Sequence, residues 1–163
     1  MFTPINFLIA TATIVVLMLL HETAHYVSAR MMNLRVIDFG LKMRGAVPYP
    51  FVEVGWTPNA RKRLIYLMAG VATTASLFSL SLITSASWLI PGIYLGFAGQ
   101  LVLETNPVFS DFVILQGMNS GKGKSDNDRM FTGPWYVHFA LWVLLIVLLL
   151  SPRFLPGLLF AGA

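Results

Sequence analysis

Leu17-Met18-Leu19-Leu20-His21-Glu22-Thr23-Ala24-His25-Tyr26 places two histidines and a glutamate inside an otherwise apolar run of membrane length. Read as a helix, the stretch sets His21 and His25 one turn apart, so both imidazoles leave the same face. That spacing suits two ligands of one zinc ion, and Glu22 between them suits the general base that activates a water. A bare His-Glu-x-x-His match is common in soluble chains, where the histidines hydrogen-bond within a helix bundle. Here the polar groups carry the desolvation cost of membrane depth, where an ionisable residue is functional by default. The stretch therefore reads as a transmembrane helix that carries part of a metal site.

Composition agrees. The chain has 163 residues, 56% of them hydrophobic and 11% charged, against about 25% charged in a soluble domain. The length fits a single domain over residues 1–163, and the hydropathy makes it an integral membrane domain. There is no cysteine, which excludes a disulfide framework and a thiolate metal site, so a transition-metal site must use His, Asp or Glu. The net charge of +4 does not point to nucleic acid, because the basic residues flank apolar spans. The N-terminal run lacks the basic start and small-residue cleavage site of a secretory signal and also holds the metal motif, so it reads as a retained helix.

The expected fold is an α-helical integral membrane protein with about four transmembrane helices, over residues 4–29, 64–88, 91–116 and 135–150. Pro91 suits a first-turn position. The first three segments are long enough to cross a hydrocarbon core of about 30 Å. The fourth is short, and residues 154–163 are left open as an extension, an interfacial segment or a fold-back. Seven of the eleven basic residues (Arg30, Arg35, Lys42, Arg44, Arg61, Lys62 and Arg63) fall between the first two spans, and Lys122, Lys124 and Arg129 fall between the last two. The positive-inside rule puts both loops in the cytoplasm, the N-terminus outside and the metal motif near the cytoplasmic side.

The first long loop alternates. Ile37, Phe39, Leu41 and Met43 are interleaved with Asp38, Gly40, Lys42 and Arg44, and Val52, Val54 and Trp56 with Glu53, Gly55 and Thr57. Two period-2 runs around a Gly/Pro connection predict a membrane-associated β-hairpin over residues 36–57. A lone hairpin is marginal in water, so this one lies against the helices or the membrane surface. It is either a structural clip or an edge that pairs with an extended peptide substrate. The second span is rich in small residues from Ala69 to Ser76, and Gly92 and Gly96 have GxxxG spacing, both read as close helix packing. Residues 117–134 read as a mobile loop and a candidate lid. Its Gly121-Lys122-Gly123-Lys124-Ser125 matches only part of a phosphate loop, so nucleotide binding is discounted.

A catalytic zinc takes three protein ligands and keeps one open position. Of the seven acidic residues, Asp38, Glu53, Asp126 and Asp128 fall in loops and Glu22 is the candidate base. Glu104 and Asp111 remain, seven residues apart on one face of the third span. His25 lies five residues before Arg30, and Asp111 six before Gly117. With the two spans taken to run in opposite directions, these positions come to similar depth, and Glu104 falls about 10 Å farther out. Asp111 is the better third ligand, with Pro107 bending the stretch toward the metal. Glu104 is then a carboxylate behind the ligands or a proton-path group. Asn106 is a substrate-binding or ligand-orienting amide, or plain packing. His138 is an interfacial histidine, since a fourth ligand would close the site.

His21-Glu22-Thr23-Ala24-His25 followed by Asn106-Pro107-Val108-Phe109-Ser110-Asp111 resembles the paired motifs of the site-2 protease family of intramembrane zinc metalloproteases. The hairpin looks like that family's membrane-associated β region. Met68-Ala69-Gly70-Val71-Ala72 is similar in position to its Ala-Gly-Pro-x-Ala segment, with Val71 where proline is usual, and Phe112 stands where glycine usually follows the aspartate. The resemblance covers most of residues 10–117. It implies that His21, His25 and Asp111 bind Zn2+, that Glu22 activates water and that Asn106 helps position a membrane protein or peptide substrate. A homo-oligomer or an accessory membrane protein stays open. The competing expectations are a catalytically silent relative that binds membrane helices and a metal or proton transporter. The intact His-Glu-His set argues against the first, and the lack of an internal repeat against the second.

Overall fold

Thr3 opens the first helix by accepting the amide of Asn6, and Pro4 takes the first helical position, where a missing N–H costs nothing. This helix, α1 (Pro4–Met31), has 28 residues, about 42 Å at 1.5 Å per residue. Asn33 leaves it at a left-handed φ of 54°, and the Lys62 ammonium donates to the Met32 carbonyl at 2.7 Å. Its buried residues Leu17, His21, His25 and Ala29 recur every fourth position and make one inward stripe. Phe7, Leu8, Val15, Val16 and Leu19 point outward and are exposed. The computed structural model describes residues 3–44, 47–108, 110–111 and 131–151. Most of the expected loop at 117–134 and the whole tail from 152 onward lie outside the described residues.

The hairpin forms as the alternation predicts. Strand β1 (Val36–Arg44) pairs antiparallel with β2 (Val47–Val54), Phe39 opposite Val52, Leu41 opposite Pro50 and Met43 opposite Pro48, with an irregularity between Val36 and Asp38. It ends at Val54 rather than at 57. Tyr66 fastens it by donating its hydroxyl to the Val52 carbonyl at 2.9 Å, and the Tyr26 and Phe39 rings meet with centroids 5.0 Å apart. Phe39, Leu41 and Met43 remain exposed on one face.

Helix α2 (Ala60–Ile83) starts at Asn59, whose side chain accepts the amide of Lys62 at 3.1 Å. It starts a turn earlier than expected and stops before residue 88, because Ser85 adopts a left-handed φ of 63°. A short helix, α3 (Ala86–Leu89), follows, and the hydroxyls of Ser81 and Ser87 bond across the break at 2.6 Å. An apolar-run reading passes over this polar closure. Helix α4 (Pro91–Glu104) has 14 residues and does not run to 116. Pro107 has no N–H and disfavours helix at Asn106, so the ladder stops there. Helix α5 (Gly133–Leu149) has 17 residues. Helices α1 and α2 are long and apolar enough to cross a membrane. Helices α4 and α5 are shorter, so two helices of spanning length are described rather than four.

Helix α4 lies along α1 in the same direction, which corrects the opposed orientation expected for these two spans. Gly92 sits against Asn6 and Ile9, Gly96 against Ala10 and Thr13, and Gly99 against Ile14, so the contacts ascend together along both helices. The reversal is made by α2 in between. A Cβ at Gly96 would overlap Thr13 and come within 3.0 Å of the Ala10 carbonyl. Gly96→Ala is therefore expected to lower the thermal unfolding midpoint in detergent, at an overpacking cost of about 1–3 kcal/mol. Gly99→Ala meets only the end of the Ile14 side chain at 3.3 Å and should change it far less. Equal midpoints for the two variants would contradict the close approach.

Helix α5 is fastened through ring N–H groups. Trp135 donates to the Pro107 carbonyl, His138 bonds the Thr105 carbonyl and Trp142 donates to the Val102 carbonyl, each at 2.9 Å. These carbonyls lie at or beyond the broken end of α4, where helical partners run out. The spacing 135, 138, 142 puts all three donors on one helix face.

Candidate metal centre

The inward stripe of α1 carries His21 and His25, and the turn after α4 brings Asp111 to them. The two Nε2 atoms are 3.0 Å apart. Asp111 Oδ2 lies 3.1 Å from Nε2 of His25 and 3.3 Å from Nε2 of His21. Ligands held at 2.0–2.1 Å around a tetrahedral ion stand about 3.3 Å apart, so the spacing is compatible with a shared cation as well as with direct hydrogen bonds.

Both rings are held from behind. His25 Nδ1 donates to the Tyr66 carbonyl at 2.7 Å. His21 Nδ1 faces Glu104 Oε1 at 2.9 Å. That contact is an approach at ion-pair distance rather than a regular hydrogen bond. With the ring hydrogens on Nδ1, both Nε2 lone pairs and a carboxylate oxygen converge on one point. Three acceptors this close repel each other unless a proton or a metal cation sits among them. His21, His25 and Asp111 can thus hold a metal ion, and a donor set of two imidazoles and one carboxylate suits zinc.

Glu104 is where the expectation of depth fails. It does not lie two turns outward of the ligands. Because α4 ends at Glu104 and the chain turns back, Glu104 and Asp111 reach His21 from opposite sides, at Nδ1 and Nε2. Glu104 thus lies at Nδ1 of His21, on the far side of the ring from Asp111. Glu104 Oε1 also accepts from the Thr74 hydroxyl and the Gln100 amide, both at 2.7 Å.

Asn106 is not on the wall of the cavity beside the metal group. Its Oδ1 accepts the Val108 amide at 2.8 Å and its carbonyl accepts the Ser110 amide at 3.2 Å, so it shapes the turn that delivers Asp111. His138 is on α5 at the Thr105 carbonyl, outside the metal group. Glu22 does line the cavity, with His21 and Asp111 beside it, and β2 contributes Tyr49 and Pro50. The cavity is open on one side and holds about 350 Å³. Gly70 of α2 packs flat on the His21 ring, and a Cβ there would overlap it.

Sequence reasoning missed Thr74, Gln100, Ser110 and the specific task of Gly70. Gln100 was the findable one: it is a lone amide in an apolar run, one helical turn before Glu104. No protein-family model, curated protein or solved structure matches this chain.

Proposed function

We propose that the protein is an intramembrane zinc metalloprotease of the site-2 protease kind, which hydrolyses a peptide bond in or near a membrane-spanning segment. One observation carries the reading: His21, His25 and Asp111 converge on a single point, with Glu22 on the wall of the same open cavity. A histidine pair and a carboxylate leave a fourth position for chemistry. A zinc ion there supplies Lewis acidity, lowering the pKa of water to about 7 and polarising the scissile carbonyl. Glu22 accepts the proton of the attacking water and hands it to the departing amine. The Tyr66 carbonyl and Glu104 keep the two rings turned so that Nε2 faces inward.

The membrane setting follows the same line. Exposed apolar side chains cover the outer face of α1, a surface that suits lipid. On this reading α4 and α5 complete a multi-pass bundle, the N-terminus is outside and the site lies near the cytoplasmic side, where Arg30 and the Arg61-Lys62-Arg63 cluster fall. A substrate helix must unwind before a peptide bond reaches the cavity, since its amides are otherwise bonded internally. The hairpin, with Tyr49 and Pro50 on the cavity wall, is the element that receives the extended segment.

The test is cleavage of a panel of model transmembrane peptides in detergent by zinc-loaded wild type and Glu22→Gln of equal zinc content. The expected loss is about 10²- to 10⁴-fold, the usual contribution of a general base. Equal cleavage by both proteins would remove Glu22 from the reaction and the protease reading with it.

A further inference from the structure

We propose that the cavity beside the metal centre is a substrate subsite for a hydrogen-bond-donating side chain, read by Gln100, Glu104 and Ser110. This deepens the protease reading and rests on it. All three residues line the cavity, and all are more than nine-tenths buried: Gln100 is 3% exposed, Ser110 5% and Glu104 8%. Each keeps one oxygen with no partner among the described residues: Gln100 Oε1, Glu104 Oε2 and Ser110 Oγ. Buried oxygens in a native fold are nearly always bonded, and one left unpaired is costly.

The local network explains why the Gln100 and Glu104 oxygens do not satisfy each other. Gln100 spends its amide nitrogen on Glu104 Oε1, where the Thr74 hydroxyl also donates. Turning the Gln100 amide over would set its oxygen against the carboxylate, so the network fixes which end stays unpaired. Support of His21 does not account for the arrangement. That contact uses Oε1 of Glu104, while Gln100 Oε1 and Ser110 Oγ are not among the atoms that meet His21.

The unpaired oxygens are buried within these wall residues, and a donor that reaches them from the cavity would satisfy the carboxamide and carboxylate oxygens. Met18, Leu103 and Pro50 add an apolar part to the wall, apart from His21, Glu22 and Asp111 at the metal group, which fits an aliphatic stem with an N–H or O–H at its tip. A cavity of about 350 Å³ takes one side chain, not a helix. Carboxamide, hydroxyl and ammonium groups share the required chemistry. An aliphatic side chain in the same place would leave three buried oxygens stranded, and sites built on hydrogen bonds reject such analogues strongly. Membrane-spanning substrates are mostly aliphatic, so the subsite would choose the bond to be cut by the rare polar residue beside it.

The experiment loads the full chain with cobalt(II) and titrates three acyl-dipeptide hydroxamates that differ only in one side chain: Asn, Lys or Leu. Binding is read from the visible cobalt spectrum, without turnover. Wild type is expected to bind the Asn or the Lys compound at least about tenfold more tightly than the Leu compound. A Lys preference identifies the donor as an ammonium, and an Asn preference as a neutral amide. In Gln100→Leu the preference should collapse while the spectrum without hydroxamate persists. Ser110→Ala should reduce it by less, and it decides the matter if Gln100→Leu does not fold. Equal or tighter binding of the Leu compound by wild type overturns the subsite and leaves the metal centre standing. A preference unchanged in both variants overturns the assignment to these residues. Wild type that takes up no cobalt overturns the metal centre, and the subsite falls with it.

Discussion

Gly70→Ala is expected to empty the metal centre. The added methyl overlaps the ring of His21, and neither side can yield cheaply. Gly70 lies within α2, and His21 lies within α1 with Glu104 and Asp111 at its two nitrogens. Overpacking of this kind costs about 1–3 kcal/mol when it is merely absorbed. Here the atom in the way belongs to a ligand, and swinging the ring aside takes Nε2 from the convergence point. Metal content after dialysis should fall from about one ion per chain to near zero, a loss of more than about 100-fold in affinity. A thermal unfolding trace that stays cooperative would separate this from collapse. A variant that keeps its metal would mean that α2 shifts freely against α1, contrary to the packing at Gly70.

Asp111→Ala is the second large effect. His21 and His25 both sit on α1, and Asp111 is the ligand that ties this helix to the segment after α4. Without it, two imidazoles one turn apart remain, and the loss should again exceed about 100-fold, beyond that of an outer partner. Asp111→Asn, which keeps an oxygen but not the charge, should fall in between. Glu104→Ala supplies the control. Glu104 touches the far nitrogen of His21, so its loss should weaken the centre by about 10- to 100-fold rather than abolish it. If Glu104→Ala empties the site and Asp111→Ala does not, the two carboxylates have exchanged roles.

Much of this centre could be read from spacing alone. His21 and His25 follow from helix periodicity, and Asp111 from elimination among the acidic residues. The hairpin was legible because strict alternation has few other readings. What escaped were features that depend on how the chain turns. Taking the third span as one helix to residue 116 put Glu104 at the wrong depth, because a hydropathy run does not show where Pro107 ends the ladder. Ser85 hid a second break in the same way, its left-handed backbone having no signature in an apolar run. Gly70 looked like one small packing residue among many. Its particular task is set by which ring lies opposite, and that is tertiary information. Thr74 and Gln100 are ordinary polar residues until Glu104 is seen between them.

The ring donors of α5 have a consequence for the order in which the protein comes into being. Synthesis runs from the N-terminus, so His21 and His25 are made early, and Trp135, His138 and Trp142 come last among these groups. Before α5 arrives, the carbonyls of Val102, Thr105 and Pro107 lack the partners that later bond them. The turn that carries Asp111 is then held only by its own Asn106 bonds and lacks the ring contacts of α5. A nascent chain that has not reached residue 133 carries the sequence motif without these contacts. The full set of contacts around Asp111 arrives with the final described helix, so the order of synthesis sets when the three side chains of the metal group can be held together.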